Sequence, residues 1–271
     1  MIYIDMNQER IPALGLGTYD LEGQACRTSV ADAISLGYRH IDTAKMYDNE
    51  QDVGHGIKDA TVDRDELFVT TKIWHTDLTR SGITAGLEDS LQKLQLDYVN
   101  LTLIHWPSDD MNLKECLETL MELQQQSKTR LIGVSNFPAS LLQEAKSIAP
   151  IVCNQVEYHP YLGQSAVLNI VREHNLMLTA YCPIAKGEVL QDQNLVDLGE
   201  KYGKSATQIT LRWLVQQENV AAIPKASSHD HRAQNLDIFD FSLTDEEMAD
   251  IHTLSKNHRL VNPHFAPVWD E

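Results

Sequence analysis

Apolar positions along the chain fall into two alternating rhythms. Beyond the run Gly15–Tyr19, the residues Cys26, Val30, Ala33 and Ile34 recur three or four apart, the spacing of one helix face. That stripe stops at Gly37, a residue suited to ending a helix. The short β-rich run YRHID follows. Val53 and Ile57 mark a second helix, and Leu67–Lys72 (LFVTTK) another strand. Ile83, Leu87, Leu91 and Leu94 form a further helical stripe, followed by Tyr98–His105 (YVNLTLIH). Leu113, Leu117, Leu120 and Met121 then precede Arg130–Asn136 (RLIGVSN), and a helix near Ser140–Ser147 precedes Ile151–Val156 (IVCNQV). Val167, Ile170 and Val171 lead to Leu176–Tyr181 (LMLTAY). Two helices, Val196–Tyr202 and Ala206–Gln217, lead to Val220–Lys225 (VAAIPK).

With Ala13–Gly17 as the first, the pattern predicts eight short strands separated by helices. Such alternation implies parallel pairing with right-handed crossovers. Eight units in about 250 residues is the size of a (β/α)8 TIM barrel. The rival is an open doubly wound sheet, which usually begins with a glycine-rich dinucleotide loop. Here Gly15-Leu-Gly17-Thr-Tyr-Asp20 lacks the third glycine, and the helix starts several residues later. The barrel is therefore expected. Met1–Arg10 reads as a β-hairpin outside the repeat, closing the bottom. No low-complexity linker or break in composition divides the chain, so residues 1–271 are expected to form a single domain.

Composition and charge narrow the partners. Of 271 residues, 42% are hydrophobic and 23% charged, which allows a sizeable core. The formal charge of −17 disfavours nucleic acid and anionic membrane surfaces as main partners. An anionic ligand would need a local positive pocket. No stretch approaches about 18 uncharged apolar residues, and no basic region followed by an apolar segment opens the chain. A cytoplasmic, monomeric protein is expected. Cys26, Cys116, Cys153 and Cys182 lie far apart with no CxxC, so free buried thiols are expected rather than disulfides or a zinc site.

In a barrel of this kind, functional groups lie at the C-terminal ends of the strands. Read in order, those ends carry Thr18 and Tyr19, Asp42, Lys72, His105, Ser135 and Asn136, Asn154 and Gln155, Tyr181, and Lys225. Tyr47 follows Asp42 on the next loop. Asp42, Lys72, His105 and Tyr47 make a coherent set. A phenol with a pKa of about 10 is a poor acid at neutral pH unless its anion is stabilised, and a nearby ammonium does that. A buried lysine tends to lose its proton, and an adjacent carboxylate keeps it charged. A neutral histidine can orient a carbonyl oxygen. The set suits delivering a proton to an oxygen that becomes an alcohol. It contains no hydride source, so a reductase would require a nicotinamide.

Each residue also has a plainer reading: a structural ion pair for Asp42 and Lys72, a cluster cap for Tyr47, a satisfied core group for His105. Four compatible groups at neighbouring strand ends favour chemistry. The alternative of another class is a barrel that senses nicotinamide redox state, or a structural barrel without turnover. A metal-dependent hydrolase is disfavoured: the eleven histidines include no HExxH, and a charged lysine is a poor ligand. No metal site is expected.

The motifs GLGTY (15–19), GYRHIDTAKMYDNE (37–50), TTKIW (70–74), LTLIHWP (101–107), IGVSNF (132–137), NQVEYHPYL (154–162), YCPI (181–184) and AIPKAS (222–227) are similar to those of the aldo-keto reductases, in order and spacing, over nearly the whole chain. The tail Arg259–Glu271 resembles the bacterial branch of 2,5-diketo-D-gluconate reductases, which also act on methylglyoxal. The resemblance implies a (β/α)8 barrel binding NADPH without a Rossmann domain, with NADH as the lesser option. Tyr47 would be the proton donor, Lys72 and Asp42 its activators, and His105 the carbonyl-orienting group. Gly17 and Thr18 fall at cofactor-binding positions. Ser135, Asn136 and Gln155 match positions that hold the carboxamide, and Tyr181 the ring that stacks on the nicotinamide. The backbone from Cys182 to Val189 matches the segment over the pyrophosphate.

At the adenosine end, Lys225 matches the lysine that meets the 2′-phosphate, and Asn235 the adenine-contacting asparagine. Ser227 offers a hydroxyl. Departures occur beside them: Ala226 stands where the family usually has serine, His231 where it has arginine, and Gln234 where it has glutamate. Arg232 sits one place past the expected arginine. Tyr19, Trp74 and Trp106 match substrate-pocket positions, and aromatic walls suit a small carbonyl substrate. Asn49 and Glu50 are expected to tie down the next helix. The segment after Leu254 is expected to fold over the active-site mouth, where the resemblance implies it tunes substrate choice.

Overall fold

A computed structural model of the chain describes residues 1–270. Glu271, the last residue of the tail quoted above, lies outside the described residues. Strands β1 (Tyr3–Met6) and β2 (Glu9–Pro12) form the antiparallel hairpin expected at the start. Its two-residue turn passes through positive φ at both Asn7 (46°) and Gln8 (73°), the twist that suits a tight hairpin. Ile4 and Met6 point inward while Tyr3 and Asp5 point out.

The eight expected strands follow: β3 (Leu16–Gly17), β4 (His40–Asp42), β5 (Phe68–Ile73), β6 (Val99–Ile104), β7 (Thr129–Ser135), β8 (Cys153–Glu157), β9 (Met177–Tyr181) and β10 (Val220–Ala222). Each pairs in parallel with its neighbour in chain order. A parallel bridge between Leu14 and Ala222 joins the first to the last, with Gly15 N–H donating to the Ala222 carbonyl (2.9 Å). At Gly17 a β-carbon would lie 2.6 Å from the carbonyl oxygen of Ile223. Only a residue without a side chain lets the seam close that tightly. Every residue of β5 and β6 is buried, as strands covered on both faces must be.

Helices α1 (Gly23–Leu36), α2 (Glu50–Asp59), α3 (Arg80–Leu94), α4 (Leu113–Gln125), α5 (Ala139–Ile148), α6 (Ser165–Glu173), α7 (Gln193–Tyr202) and α8 (Ala206–Gln216) occupy the crossovers, and α9 (His229–Leu236) and α10 (Asp245–His252) follow β10. Gly37 ends α1 as expected, at φ 112°, with its N–H on the Ala33 and Ile34 carbonyls. Thr79, Asn112, Ser205 and Thr244 cap α3, α4, α8 and α10 with their side chains. Asn49 does not tie down α2 in that way. Its side-chain nitrogen donates to the carbonyls of Thr18 and Leu21, and its oxygen accepts from Thr43. Asn49 thus joins the loops after β3 and β4.

Strand limits differ slightly from the sequence reading. The run Leu67–Lys72 is shifted to Phe68–Ile73, so Lys72 is not its final residue. The run Val220–Lys225 is strand only to Ala222, since Pro224 has no N–H to offer a neighbour. The four cysteines are free; three are buried and Cys182 is partly so. Among the described residues, no helix is long and apolar enough to cross a membrane.

Candidate active site

Asp42 closes β4, and the loop beyond it makes a single turn at Lys45–Tyr47 that brings Tyr47 back over the barrel mouth. Lys72, from the adjacent strand, is fully buried, as is Asp42 at 1% exposure. The Lys72 ammonium donates to Asp42 Oδ1 (2.5 Å), to the Thr43 carbonyl (2.8 Å) and to the Tyr47 hydroxyl oxygen (3.3 Å). All three of its hydrogens are therefore directed. Asp42 Oδ2 accepts from Gln155 Nε2 (2.8 Å), which fixes the carboxylate from across the barrel. Because the ammonium donates to the phenol oxygen, the phenol's own hydrogen is left to be given elsewhere.

Burial alone would drive the Lys72 ammonium down, but Asp42 and Tyr47 more than offset it, and its pKa stands above that of an ordinary lysine. It is a cation at neutral pH. For Tyr47, burial is the largest influence and raises the phenol, while Lys72 lowers it; the net direction is upward. The sequence reading expected the ammonium to acidify the phenol. Its contribution has that sign, but in this structure desolvation exceeds it.

His105 follows β6 and lies over the same mouth. Its ring centre is 5.7 Å from that of Tyr47, edge to face, and 5.1 Å from that of Trp74. Burial, then the Lys72 charge, then His75 push His105 well below the usual histidine range. It is a neutral imidazole. Its Nδ1 is buried and has no partner among the described residues.

Beside these groups lies a rack of amides and hydroxyls. The Ser135 hydroxyl donates to the Gln155 carbonyl (2.8 Å), and the Asn136 amide donates to the His105 carbonyl (2.9 Å). The Tyr181 hydroxyl donates to Asn136 Oδ1 (2.8 Å). Asn136 holds φ at 61°, a left-handed value that its surroundings must enforce. Tyr181 is the one residue of β9 that is not fully buried. After it, Cys182, Ala185, Lys186 and Gly187 all have positive φ, an unusual density in one stretch.

The adenosine-end residues lie outside this cluster. Lys225 is exposed and pairs with Asp20 (3.1 Å). Ser227 is exposed and Asn235 buried. Arg232 departs from the expectation that it faces a cofactor. It is 4% exposed, and its guanidinium is engaged by Asp32 (2.7 Å), Ser29 (3.1 Å) and the Ala226 carbonyl (3.0 Å). It braces α9 on α1 instead. Thr18, fully buried, donates from its hydroxyl to the Asp42 carbonyl (3.0 Å).

Of the aromatic trio, Trp106 is buried, Trp74 half-buried and Tyr19 exposed, with Tyr19 set 5.1 Å from the Tyr47 ring. Three further contributors, His75, Phe265 and Glu157, escaped the sequence reading. Phe265 of the tail stacks on His75 (4.2 Å between ring centres) and meets Trp74 and Trp106 edge-on at 5.5 and 5.6 Å. The third is Glu157, the final residue of β8, which is fully buried and grips the tail backbone. It sat within a quoted motif, but no local pattern discloses a partner 103 residues away.

The sequence profile of the aldo/keto reductase family matches residues 13–256. Methylglyoxal reductase DkgB of Salmonella typhi is 39% identical over 266 residues, covering 96% of this chain and 99% of its own length. A crystal structure provisionally assigned as a 2,5-diketo-D-gluconic acid reductase B superimposes with a TM-score of 0.97 at 41% identity, covering 99% of this chain and 97% of that one. An aldo-keto reductase of Bombyx mori in complex with NADP superimposes with a TM-score of 0.91 at 36% identity, covering 96% and 95% of the two chains.

Proposed function

We propose that this chain, which belongs to the aldo/keto reductase family, reduces small α-oxoaldehydes such as methylglyoxal, or keto sugars of the 2,5-diketo-D-gluconate type, to alcohols with NADPH. The family and the oxidoreductase relatives make it an NAD(P)H-dependent carbonyl reductase; the substrate, the preferred nucleotide and the residue roles are the proposal. The observation that carries it is the contact of one buried ammonium with both Asp42 and the Tyr47 hydroxyl.

The residues present fit a nicotinamide. Tyr181 offers a partly open ring whose orientation is fixed by its bond to Asn136. Ser135, Asn136 and Gln155 supply amide and hydroxyl groups beside it, suited to a carboxamide. Following the family resemblance, Gly17, Thr18, Lys225, Ser227 and Asn235 are the residues that would hold the rest of the nucleotide. Arg232 is left out of this set because its charge is engaged by Asp32. Reduced nicotinamide, when bound, supplies the hydride that the protein lacks.

The chain's own work is positioning and proton delivery. His105, neutral, donates a hydrogen bond that orients the carbonyl oxygen. Tyr47 gives its proton to that oxygen as negative charge develops there. Lys72 stabilises the resulting phenolate, and Asp42, held by Gln155, keeps Lys72 charged. Solvent then restores the Tyr47 proton. Tyr19, Trp74 and Trp106 confine the substrate and exclude water.

The test mixes the purified protein with NADPH and methylglyoxal and follows absorbance at the reduced-nicotinamide band. Steady decay that saturates with aldehyde is expected. Tight NADPH binding with no decay on any aldehyde or keto sugar would overturn the reading in favour of a sensor.

A further inference from the structure

The loop that carries Tyr47 connects β4 to α2, and three consecutive residues of β5 hold its two ends. At the near end, the Thr43 N–H donates to the Thr70 carbonyl (2.9 Å), and the Thr43 carbonyl accepts from Lys72 (2.8 Å). At the far end, the Thr71 hydroxyl donates to Glu50 Oε1 (2.5 Å). Side chains alternate along a strand, so Lys72 turns into the barrel while Thr71 turns toward the helix layer. Glu50 is the first residue of α2 and is 1% exposed. Between the two ends, Asp48 takes a left-handed φ of 52°, which a loop free at either end would not keep.

Glu50 Oε2 and the Ser90 hydroxyl oxygen of α3 are buried without a hydrogen-bond partner among the described residues. A carboxylate in that state is costly, whereas a carboxylic acid has a hydrogen to place there. Burial pushes the Glu50 carboxyl up, and Asp89 adds to the rise; Thr71, Ser90 and Lys93 offset it only in part. Lys93 is itself paired with Asp89 (2.9 Å). The surroundings of Glu50 thus favour the uncharged acid. We propose that Glu50 is a positioning residue for the reduction: its bond to Thr71 fixes how closely the Tyr47 hydroxyl approaches Lys72, and through that contact the rate of proton delivery. The proposal rests on the reductase reading for its rate, though not for its geometry. The Tyr47–Lys72 contact is already long at 3.3 Å, so a further outward shift weakens it. Other ties remain when the Glu50 bond is cut. Asn49 stays bound to Thr18, Leu21 and Thr43, and Lys45 to Asp77 (2.8 Å). The loop is then loosened rather than released.

The test compares the full-length protein with Thr71→Val, Glu50→Ala, Glu50→Gln and the double variant Glu50→Ala/Thr71→Val, each with NADPH and methylglyoxal. A misplacement of about 1 Å can cost about 10²-fold, and with the other ties intact kcat should fall about tenfold in Thr71→Val and in Glu50→Ala. The double variant should be no slower than Glu50→Ala, because both changes remove the same bond. KM and the NADPH dissociation constant should stay within about twofold. Glu50→Gln keeps an acceptor for Thr71 and a hydrogen for Ser90, and should hold kcat within about twofold of the unmodified protein. In Thr71→Val the falling limb of the pH profile should move to higher pH, as should the Tyr47 phenol titration followed by NMR of carbon-13-labelled tyrosine. Lys72, Asp42, Tyr19 and His105 face Tyr47 and are the same in all four variants, so that movement reports the Lys72 contact. A Thr71→Val protein with unchanged kcat and titration, or a Glu50→Gln protein as slow as Glu50→Ala, overturns the proposal. If the unmodified protein reduces no aldehyde, the reductase reading fails instead, and the Tyr47 titration alone decides the role of Glu50.

Discussion

Replacing Lys72 with methionine keeps the length and burial of the side chain and removes one charge. The ammonium lies 3.3 Å from the Tyr47 oxygen. At that separation and an effective dielectric constant of about 20, it stabilises a phenolate by about 5 kcal/mol. If the transition state feels half of the developing charge, the loss is about 2.5 kcal/mol, or roughly 10²-fold in kcat. The pH profile supplies an independent sign. Reduction needs the protonated phenol, so the rate falls as pH rises through its pKa. Without Lys72 the phenol is a weaker acid, and the falling limb should move to higher pH. Stability should also drop, by about 3 kcal/mol, because Asp42 loses a buried partner and keeps only Gln155. The assay is steady-state carbonyl reduction across pH, beside NADPH affinity from protein fluorescence. A Lys72→Met protein that binds NADPH normally and reduces methylglyoxal within threefold of the unmodified rate would refute the reasoning.

Two further outcomes follow from charged groups elsewhere. Asp20→Asn should free Lys225 from its exposed pairing and tighten NADP+ binding about two- to fivefold, leaving NAD+ unchanged, measured by calorimetry. Equal gains for both nucleotides would show that Lys225 does not read the 2′-phosphate. At α10, burial works against the Glu247 carboxylate, but Lys201, the Thr244 backbone and Tyr202 hold it down at about 2. A depressed carboxylate stabilises the fold above its unfolded pKa and loses that contribution as pH falls from about 4.5 toward 2. Glu247→Gln should therefore cost about 2 kcal/mol at pH 7, discounted for the exposed Lys201, and should remove about that much of the pH dependence of unfolding free energy between about pH 4.5 and pH 2, measured by denaturant titration.

The repeating order of strands and helices was legible because each element buries one stripe or one run, and that periodicity is local. Asp42, Lys72, His105 and Tyr47 were legible as a set because the barrel sends consecutive strand ends to one place. Their relative geometry now adds the Thr43 carbonyl and Gln155, which complete the shells of Lys72 and Asp42. Arg232 misled because proximity in sequence to an expected position says nothing about which way a helix turns its faces. Its face packs on α1, where Asp32 takes the charge. Asn49 was assigned to a helix start by its place, whereas its amide joins two loops. Glu157 and Phe265 were the least legible, since their partners lie far away along the chain and the tail itself has no period.

The central claim is that Tyr47 delivers the proton while the neighbouring groups bind and orient. Tyr47→Phe removes one oxygen atom from that chain of contacts and leaves the ring. The decisive measurement is a single-turnover reduction of methylglyoxal by the Tyr47→Phe protein preloaded with NADPH, alongside its NADPH dissociation constant. NADPH affinity within about threefold of the unmodified protein, with the reduction step slowed by at least about 10³-fold, is the predicted result. A reduction step of near-normal rate would contradict the account.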